Sequence, residues 1–548
     1  MGRLVQICLV LSVALAASAQ KAKPNVLFVM ADDMGWDDWS SHGSRQVLTP
    51  NLDSLAGSGV LLHRYYTHAL CSPARSAVLT GRYSHTIGMQ GRPLLHGEAR
   101  GIPTTERLLP QYLKELGYRT QLVGKWHVGH AYRNQLPINR GFENHYGART
   151  GFMDYYEYNS QEAWASGPVS GLSLFRDYKP DFEAEGYITD LYNEEAKHII
   201  RSHNTSEPLF LMVTHHAPHN GNEDASLQAP PEEVRAQRHV ELHPRRIFAA
   251  MVKKLDDSVG DMVATLKEQG MLENTIIVFV ADNGAPTVGN GANSGSNYPL
   301  RGVKGSPWEG GIRVDALVWA GPEVAEGNDW RGNIFQGKMH ASDWLPTLLE
   351  AIGEKPPAGI DGIPQWKHIL ENQPTRQEIF EIDDFTGYSS ITLGRHKLIV
   401  GTVNAAYNLH RGGDLRGIIG QPPNYQQAVL NSKAYAAITA AGVPIDVEHL
   451  EENKEKATVT CGEGVAKECI PTADKWCLYD IIDDPCEYRD LSDSLPGLAE
   501  VLRFRLAQEE ERVVPRTDKN DPIGSERAMP KNFNYTWETF MDLEPYTA

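Results

Sequence analysis

The stretch "PNVLFVMADD" (residues 24–33) is a short apolar, β-forming run that stops abruptly on two aspartates. A run of that length reads as a buried strand delivering Asp32 and Asp33 at its carboxyl end. Three further segments repeat the plan. "NTIIVFVADNG" (274–284) ends on Asp282 and Asn283, "PLFLMVTHHAPH" (208–219) on His215 and His216, and "RTQLVGKWHVG" (119–129) on Lys125 and His127. Helical patterns separate them. "LTPNLDSLAGSG" (48–59) has Thr49 as cap, Pro50 in the first turn and Gly57 near the stop, and "ERLLPQYLKELGY" (106–118) and "FAAMVKKLDDSVGDMVATLKEQG" (248–270) follow. Strands alternating with helices predict an α/β fold with a mixed, mainly parallel central sheet flanked by helices. In such sheets ligands gather beyond the carboxyl ends of the strands, where all four polar pairs are expected.

The pattern changes near residue 385. "SSITLGRHKLIVG" (389–401) reads as two strands about a Gly-Arg turn, "CLYDIIDDPCEYRDLSD" (477–493) as a strand and turn, and "LAEVLRFRLAQEEER" (498–512) as a helix. The expected organisation is a catalytic domain over 20–385 and a smaller α+β domain with an antiparallel sheet over 386–548. Residues 403–470 have weak periodicity and are left unplaced. The Gly/Asn/Ser-rich "VGNGANSGSNYPLRGVKG" (288–305) reads as a mobile loop and does not match a phosphate-binding Walker pattern.

The chain has 548 residues and a formal net charge of −18, from 70 acidic and 52 basic residues. That field opposes nucleic acid and anionic membrane, so any anion site must be locally positive. "MGRLVQICLVLSVALAASAQ" (1–20) has a charged start, an apolar run and a small-residue end, which predicts a signal peptide over residues 1–19 cleaved after Ala19. Sequons at Asn204 and Asn534 fit the secretory route, and a secreted or lysosomal location is expected. Cys8 leaves with the signal. Cys461, Cys469, Cys477 and Cys486 read as two disulfides, because the spacings lack the paired C-x-x-C of a zinc site. The turn in "CLYDIIDDPC" suggests Cys477 with Cys486, leaving Cys461 with Cys469.

Cys71 then stands alone, in "CSPARSAVLTG" (71–81). Ser72 reads as a helix cap and Pro73 as the first helical position, which puts Cys71 just ahead of a helix N-terminus that favours an anion. Arg75 lies one turn on.

This stretch matches the sulfatase signature C-x-P-x-R followed by x-x-x-L-T-G. The chain resembles a type I sulfatase of the alkaline phosphatase superfamily, and over essentially its mature length the arylsulfatase B-like branch (N-acetylgalactosamine-4-sulfatase and its invertebrate relatives). The resemblance implies that Cys71 is converted by a formylglycine-generating enzyme to Cα-formylglycine, an aldehyde, which accounts for its isolation. "ADDMGWDD" (31–38) resembles the first metal loop and "VADNGAP" (280–286) the second, so Asp32, Asp33, Asp282 and Asn283, with an oxygen of converted Cys71, are implied ligands of one divalent cation. Such hard oxygen ligands suit Ca²⁺ first and Mg²⁺ second. Asp37 and Asp38 are expected at the surface or behind the ligands. "GKWHVG" (124–129) carries over Lys125 and His127, which on a strand would share a face. "THHAPH" (214–219) selects His216 through His-x-Pro, with His215 and His219 as second choices. "PLRGVKGSPWEGG" (299–311) carries over Lys304, with Glu309 and the glycines shaping the loop.

The implied chemistry is attack on sulfur by the hydrated aldehyde, with Lys125, Lys304 and the metal neutralising sulfate and Arg75 holding the hydrate. His216 and Lys304 protonate the departing alcohol, and His127 then takes a proton as the sulfated residue collapses and expels sulfate. The implied substrate is a sulfated glycan of the N-acetylgalactosamine 4-sulfate type or a dietary sulfate such as a glucosinolate. The Tyr-rich "GFMDYYEYNSQEAW" (151–164) could border the mouth and stack a sugar or aryl group, and reads equally as a packed surface loop. Two alternatives stand beside this: a formylglycine-dependent phosphonate or phosphate ester hydrolase, and a non-catalytic sulfated-glycan-binding protein. Oligomeric state is not legible.

Overall fold

The computed structural model describes residues 22–164, 167–289, 291–413, 415, 420–461, 468–516 and 526–543. The expected signal peptide lies outside them. The chain enters β1 (Asn25–Ala31), then β2 (Val60–Tyr66), β3 (Arg119–Gly124) and β4 (Asn144–Ala148). A hairpin, β5 (Asn159–Trp164) and β6 (Gly167–Leu172), forms a separate two-stranded sheet, after which β7 (Leu174–Arg176) and β8 (Lys179–Pro180) rejoin the main one. With β9 (Leu209–Thr214), β10 (Thr275–Ala281), β11 (Ala316–Ala320) and β12 (Asn333–His340), ten strands run in the order β12-β2-β11-β10-β1-β9-β3-β4-β7-β8.

The centre of this sheet places the site. β10, β1, β9, β3 and β4 are successive parallel neighbours, and β1 and β10 are buried along their whole length. That is why their sequences are continuous apolar runs and do not alternate. β2 and β10 are both antiparallel to the intervening β11, so β2 also points the same way. These six strands therefore end at one edge, and Asp32, Cys71, Lys125, His215 and Asp282 follow the ends of five of them, β1, β2, β3, β9 and β10.

The helix α1 (Pro50–Ser58) is capped from outside. Asp256 Oδ2 and Oδ1, on the long helix His243–Glu268, accept the backbone N–H groups of Asn51 and Leu52 at 3.1 and 2.8 Å. Thr49 occupies the N-cap position without capping, because its hydroxyl accepts from Ser40 N. Asn51 Oδ1 in turn accepts from Ala434 N, at the start of the helix Lys433–Ala440. The stretch left unplaced thus folds partly into three helices, Tyr425–Leu430, Lys433–Ala440 and Val447–Ala457, that lie against α1.

The second sheet is antiparallel: β13 (Glu378–Asp383), β14 (Tyr388–Leu393), β15 (His396–Gly401) and β16 (Cys477–Asp480), covered by the helix Pro496–Glu510. Its first strand precedes residue 386. Its tie to the main body is a buried charge group, in which Lys397 Nζ lies 2.9 Å from both Glu309 and Glu487 while Tyr66 donates to Glu309. The segment 526–543 returns to the β5–β6 hairpin, where Trp537 Nε1 donates to Ser160 O. Asn204 and Asn534 are exposed, and no helix among the described residues is long and apolar enough to cross a membrane.

The disulfides are Cys461–Cys486 and Cys469–Cys477, which corrects the expected pairing of Cys477 with Cys486 and of Cys461 with Cys469. β16 begins at Cys477 and carries the chain away from it, so the turn does not bring Cys486 back. Cys477 packs with Cys469, Trp308 and Tyr479, whereas Cys486 packs with Trp36, Leu300 and Val459.

Peptide mapping under non-reducing conditions is expected to link 461 with 486. Removing that bridge by Cys461→Ser with Cys486→Ser should cost about 3 kcal/mol of stability, because it frees a loop of 25 residues; unchanged denaturant stability would contradict this. A pH effect is also expected. Burial, with the Arg149 charge second, pushes His130 down to about 3, and burial pushes His145 down to about 4, against about 6.5 when unfolded. The unfolded chain then binds more protons between those values. Stability should be complete above about pH 6.5 and fall below it, by up to about 1.4 kcal/mol per pH unit for each histidine. Melting temperatures at pH 7 and 5 test this, and His145→Gln should flatten the dependence.

Candidate active site and metal centre

The helix α2 (Cys71–Thr80) starts on Cys71 itself, with Leu70 as its N-cap. Ser72 is therefore not the cap; its hydroxyl accepts from Leu94 N at 3.0 Å. Cys71 is buried, and it is the free cysteine among the described residues. Its Sγ lies 3.6 Å from Asp32 Oδ1. Burial pushes its thiol up to about 12 although Lys125 and Lys304 oppose this, so the unmodified side chain is a neutral, unreactive thiol at physiological pH.

Three carboxylates and three cations are sealed together around it. Asp32 Oδ2 takes Lys125 Nζ at 2.5 Å, and Asp33 Oδ1 takes Lys304 Nζ at 2.5 Å and Asn283 Nδ2 at 2.6 Å. Asp282 Oδ2 accepts two hydrogen bonds from Arg75, at 3.1 and 2.9 Å, and its Oδ1 accepts from Asp33 N. Burial alone would raise Asp32, but Lys125, His219, Arg75 and Lys304 hold it well below the usual carboxylate range. Burial, then the charge on Asp32, pushes Asp282 the other way. Burial disfavours the charge on Lys304, yet Asp33 beside it raises its pKa. The three cations thus balance the three carboxylates inside an acidic protein, where the sequence predicts a locally positive site.

Asp33 Oδ2 and Asn283 Oδ1 are buried and accept no hydrogen bond, which suits ligands held for a cation. Donor atoms of Asp32, Asp33, Cys71 and His219 all lie within 4.8 Å of one another, so a candidate acidic metal site exists here. Asp282 stands beside this quartet, engaged by Arg75. Asp33 is held at φ 63°, and Asn293 Nδ2 fixes it by donating to its carbonyl at 2.9 Å. The loop expected to be mobile is here a brace, since Asn293, Asn297 and Arg301 are all buried. Asp37 and Asp38 are not at the surface. Asp38 accepts from Gly35 N, Ser296 N and Arg245, tying the metal loop to the long helix.

Lys125 and His127 both reach the site, though not by sharing a strand face, since β3 stops at Gly124 and His127 sits at φ 55°. His127 Nε2 donates to Leu94 O at 3.0 Å, which leaves buried Nδ1 as an unpaired acceptor. Burial, with Lys125 second, holds this ring well below its ordinary pKa and neutral. His216 lies with Nδ1 3.3 Å from Tyr192 Oη and a buried, unpartnered Nε2, and burial also lowers it. His215 turns to Ser258 Oγ, on the long helix.

His219, a second choice from sequence, belongs to the site: Nε2 is 3.3 Å from Asp33 Oδ2 and its ring stacks on Phe152. The signal that could have found it is weak, a histidine three residues past the His-x-Pro histidine. Phe152 comes from the Tyr-rich stretch, where Tyr155 is buried and donates to His219 O, so that stretch borders the site.

Residues 24–354 match the family model described as Sulfatase. The chain is 32% identical to mouse arylsulfatase J over 523 residues, covering 93% of this chain and 80% of the relative. It is 31% identical to mouse N-acetylgalactosamine-6-sulfatase over 421 residues, covering 72% and 75%. The crystal structure of Ps i-CgsB in complex with k-i-k-neocarrahexaose superposes with a TM-score of 0.70 at 25% identity, covering 90% of this chain and 94% of that one. A buried cysteine at a helix start, ringed by three carboxylates and three cations at one sheet edge, thus sits in a chain that belongs to the sulfatase family of sulfuric ester hydrolases.

Proposed function

We propose that this protein hydrolyses a sugar or aryl O-sulfate to the alcohol and inorganic sulfate, with residue 71 acting as a converted cysteine. The observation that carries this reading is the neutral, buried Cys71 thiol set among six charged side chains, a poor nucleophile in a place built for a strong one. The aldehyde would supply a hydrated carbonyl oxygen as nucleophile, and a divalent cation would neutralise sulfate oxygens. Asp32, Asp33, Asp282 and Asn283 would hold that cation, with Ca²⁺ first because side-chain oxygens supply much of the shell and Mg²⁺ second because it keeps more water.

The chain's own groups divide the remaining work. Lys125 and Lys304 bring two fixed positive charges to the sulfate oxygens, where a dry site makes them worth far more than in water. Arg75 anchors Asp282 and aims the helix start. His127 offers Nδ1 as a base, its tautomer set by Leu94 O. His216, accepting from Tyr192 at Nδ1, carries its proton on Nε2 and would donate a hydrogen bond to the oxygen of the departing alcohol, while Lys304 would supply the proton.

A sulfated galacto-configured sugar, of the N-acetylgalactosamine sulfate class, is the substrate we favour, and a dietary sulfate such as a glucosinolate is second. Relatives named for N-acetylgalactosamine-6-sulfate hydrolysis support the first, as does Phe152 at the rim, where an aromatic face could stack a sugar ring. Passage through a secretory compartment, where a converting enzyme acts, belongs to the same reading and fits the exposed sequons.

Mass analysis of the peptide containing residue 71 should show oxygen in place of sulfur and two hydrogens fewer. Cys71→Ala should lower kcat/KM for aryl sulfate by at least about 10⁴-fold. Cys71→Ser should stop after one turnover with sulfate left on the serine, because serine lacks the second hydroxyl needed for release; sustained turnover by that variant would overturn the mechanism. Asp33→Ala should weaken Ca²⁺ binding in calorimetry by at least about tenfold, through loss of a charged ligand. Wild-type affinity in that variant would move the cation elsewhere.

A further inference from the structure

The segment Leu94–His96 lies in no strand or helix, yet each of its three backbone N–H groups is taken by a side chain from a different place. Leu94 N donates to Ser72 Oγ at 3.0 Å, Leu95 N to Glu98 Oε2 at 3.0 Å and His96 N to Glu162 Oε2 at 3.1 Å. Ser72 belongs to α2, Glu98 to the same loop and Glu162 to β5. The Leu94 carbonyl lies between the first two of these bonds and accepts from His127 Nε2 at 3.0 Å. Its direction is therefore set by side chains, with no regular element to fix it.

Ser72 departs from the habit of the other hydroxyl residues in α2. Ser76 and Thr80 donate back to Pro73 O and Ser76 O, as such side chains commonly do in helices. Ser72 is wholly buried and accepts from outside the helix. At the other end of the chain of contacts, His127 is confined. A methyl in place of the Gly151 hydrogen would come within 2.6 Å of its ring, so backbone lies close against one side. A neutral imidazole carries one ring proton, and a carbonyl can only accept. Leu94 O thus holds that proton on Nε2 and leaves the lone pair on buried, unpaired Nδ1.

We propose that Ser72 is a positioning residue for the release of sulfate: through Leu94 it sets the tautomer of His127, and so ties the helix that carries residue 71 to the base that acts on it. The role in release rests on the function proposed above; the contacts do not. In that step His127 Nδ1 takes the proton of the remaining hydroxyl on residue 71. The O–H electrons close the carbonyl, and the C–O bond to sulfate breaks with its electron pair leaving on sulfate. Nothing is oxidised or reduced. Without the Ser72 hydroxyl, Leu94 N–H is a buried donor with no acceptor, so the loop shifts and its carbonyl turns away. A proton that then moves to Nδ1 leaves no base there. Transfer of sulfur to residue 71 comes earlier and does not need His127.

The test uses the full chain, disulfides formed, each variant confirmed by mass to carry the aldehyde at residue 71 and its rate counted per converted site. Ser72→Ala should lower kcat for an aryl sulfate at least about tenfold, the scale for losing a group that orients a histidine. KM should fall in step and leave kcat/KM within about twofold, because kcat/KM covers only the steps through sulfur transfer. Rapid mixing should show a burst of phenol, equal to the converted sites, before the slow phase. Ser72→Thr keeps the acceptor and should recover most of the lost kcat. In a His127→Ala background, Ser72→Ala should cost less than about twofold, since its whole effect passes through that ring. Nitrogen-15 spectra of histidine-labelled, unconverted protein read the tautomer without any activity. The His127 signal, assigned by its loss in His127→Ala, should show the proton on Nε2, and Ser72→Ala should shift it toward Nδ1. A kcat/KM that falls with kcat, independent effects of the two substitutions, or an unchanged tautomer in a Ser72→Ala variant that melts like the wild type would overturn the assignment. Converted wild-type protein without sulfatase activity would instead count against the proposed function, while the tautomer result on the unconverted chain would still decide the link from Ser72 to His127.

Discussion

The constraint on which the rest depends is electrostatic: Asp32, Asp33 and Asp282 are all removed from water at the ends of two adjacent parallel strands. Burying one unpaired carboxylate costs several kcal/mol, and three together repel as well. The fold answers with Lys125 from the end of β3, Arg75 from α2 and Lys304 from the loop after β10. Each cation arrives on a different segment, so the charge balance itself fixes how those segments assemble. Against the effect of burial, the neighbouring cations drive Asp32 downward, while burial first and then the charge on Asp32 drive Asp282 upward.

That balance also explains why the proposed reaction on an anion would call for a cation. Three carboxylates against two lysines and an arginine sum to about zero, so a sulfate ester entering alone would meet no net attraction. A divalent cation held there would make the pocket positive while the protein around it keeps a formal charge of −18. Attraction to sulfate is then confined to the site, and the surface keeps other polyanions away.

Much of this was legible in the sequence, for physical reasons that differ by element. β1 and β10 declared themselves because a strand buried on both faces must be a continuous apolar run, and their terminal polar pairs could only face the edge where parallel strands end. The pairing of the cysteines was not legible. It depends on where β16 begins, and the four-residue strand that starts on Cys477 itself leads away to the turn that carries Cys486. Ser72 read as a cap because serine favours that position, but tertiary contact with Leu94 outweighed the local preference. The glycine-rich loop read as mobile because composition reports backbone freedom and says nothing of Asn293 being held by the Asp33 carbonyl. His219 was a second choice for want of a motif, and its place at the site follows from tertiary packing, which brings Nε2 3.3 Å from Asp33 Oδ2.

The second sheet, in turn, holds the start of α2 in place. Glu381, on β13, accepts from Ala69 N and pairs with His68 Nδ1, while His68 Nε2 accepts from Ser84 N, so the segment entering α2 is gripped from both sides. The carbonyl of the same Ala69 accepts from Gly305 N, next to Lys304. Two residues before Cys71, then, a single backbone unit joins α2, the loop that carries Lys304 and the C-terminal sheet. Lys397 and Glu309 hold the far end of that loop. The spacing between Cys71 and Lys304 is therefore set by backbone hydrogen bonds and a buried ion group, and does not depend on the rotamers of long side chains. A site assembled from five strand ends keeps its geometry only if something outside the main sheet fixes the loops, and here the smaller sheet does so.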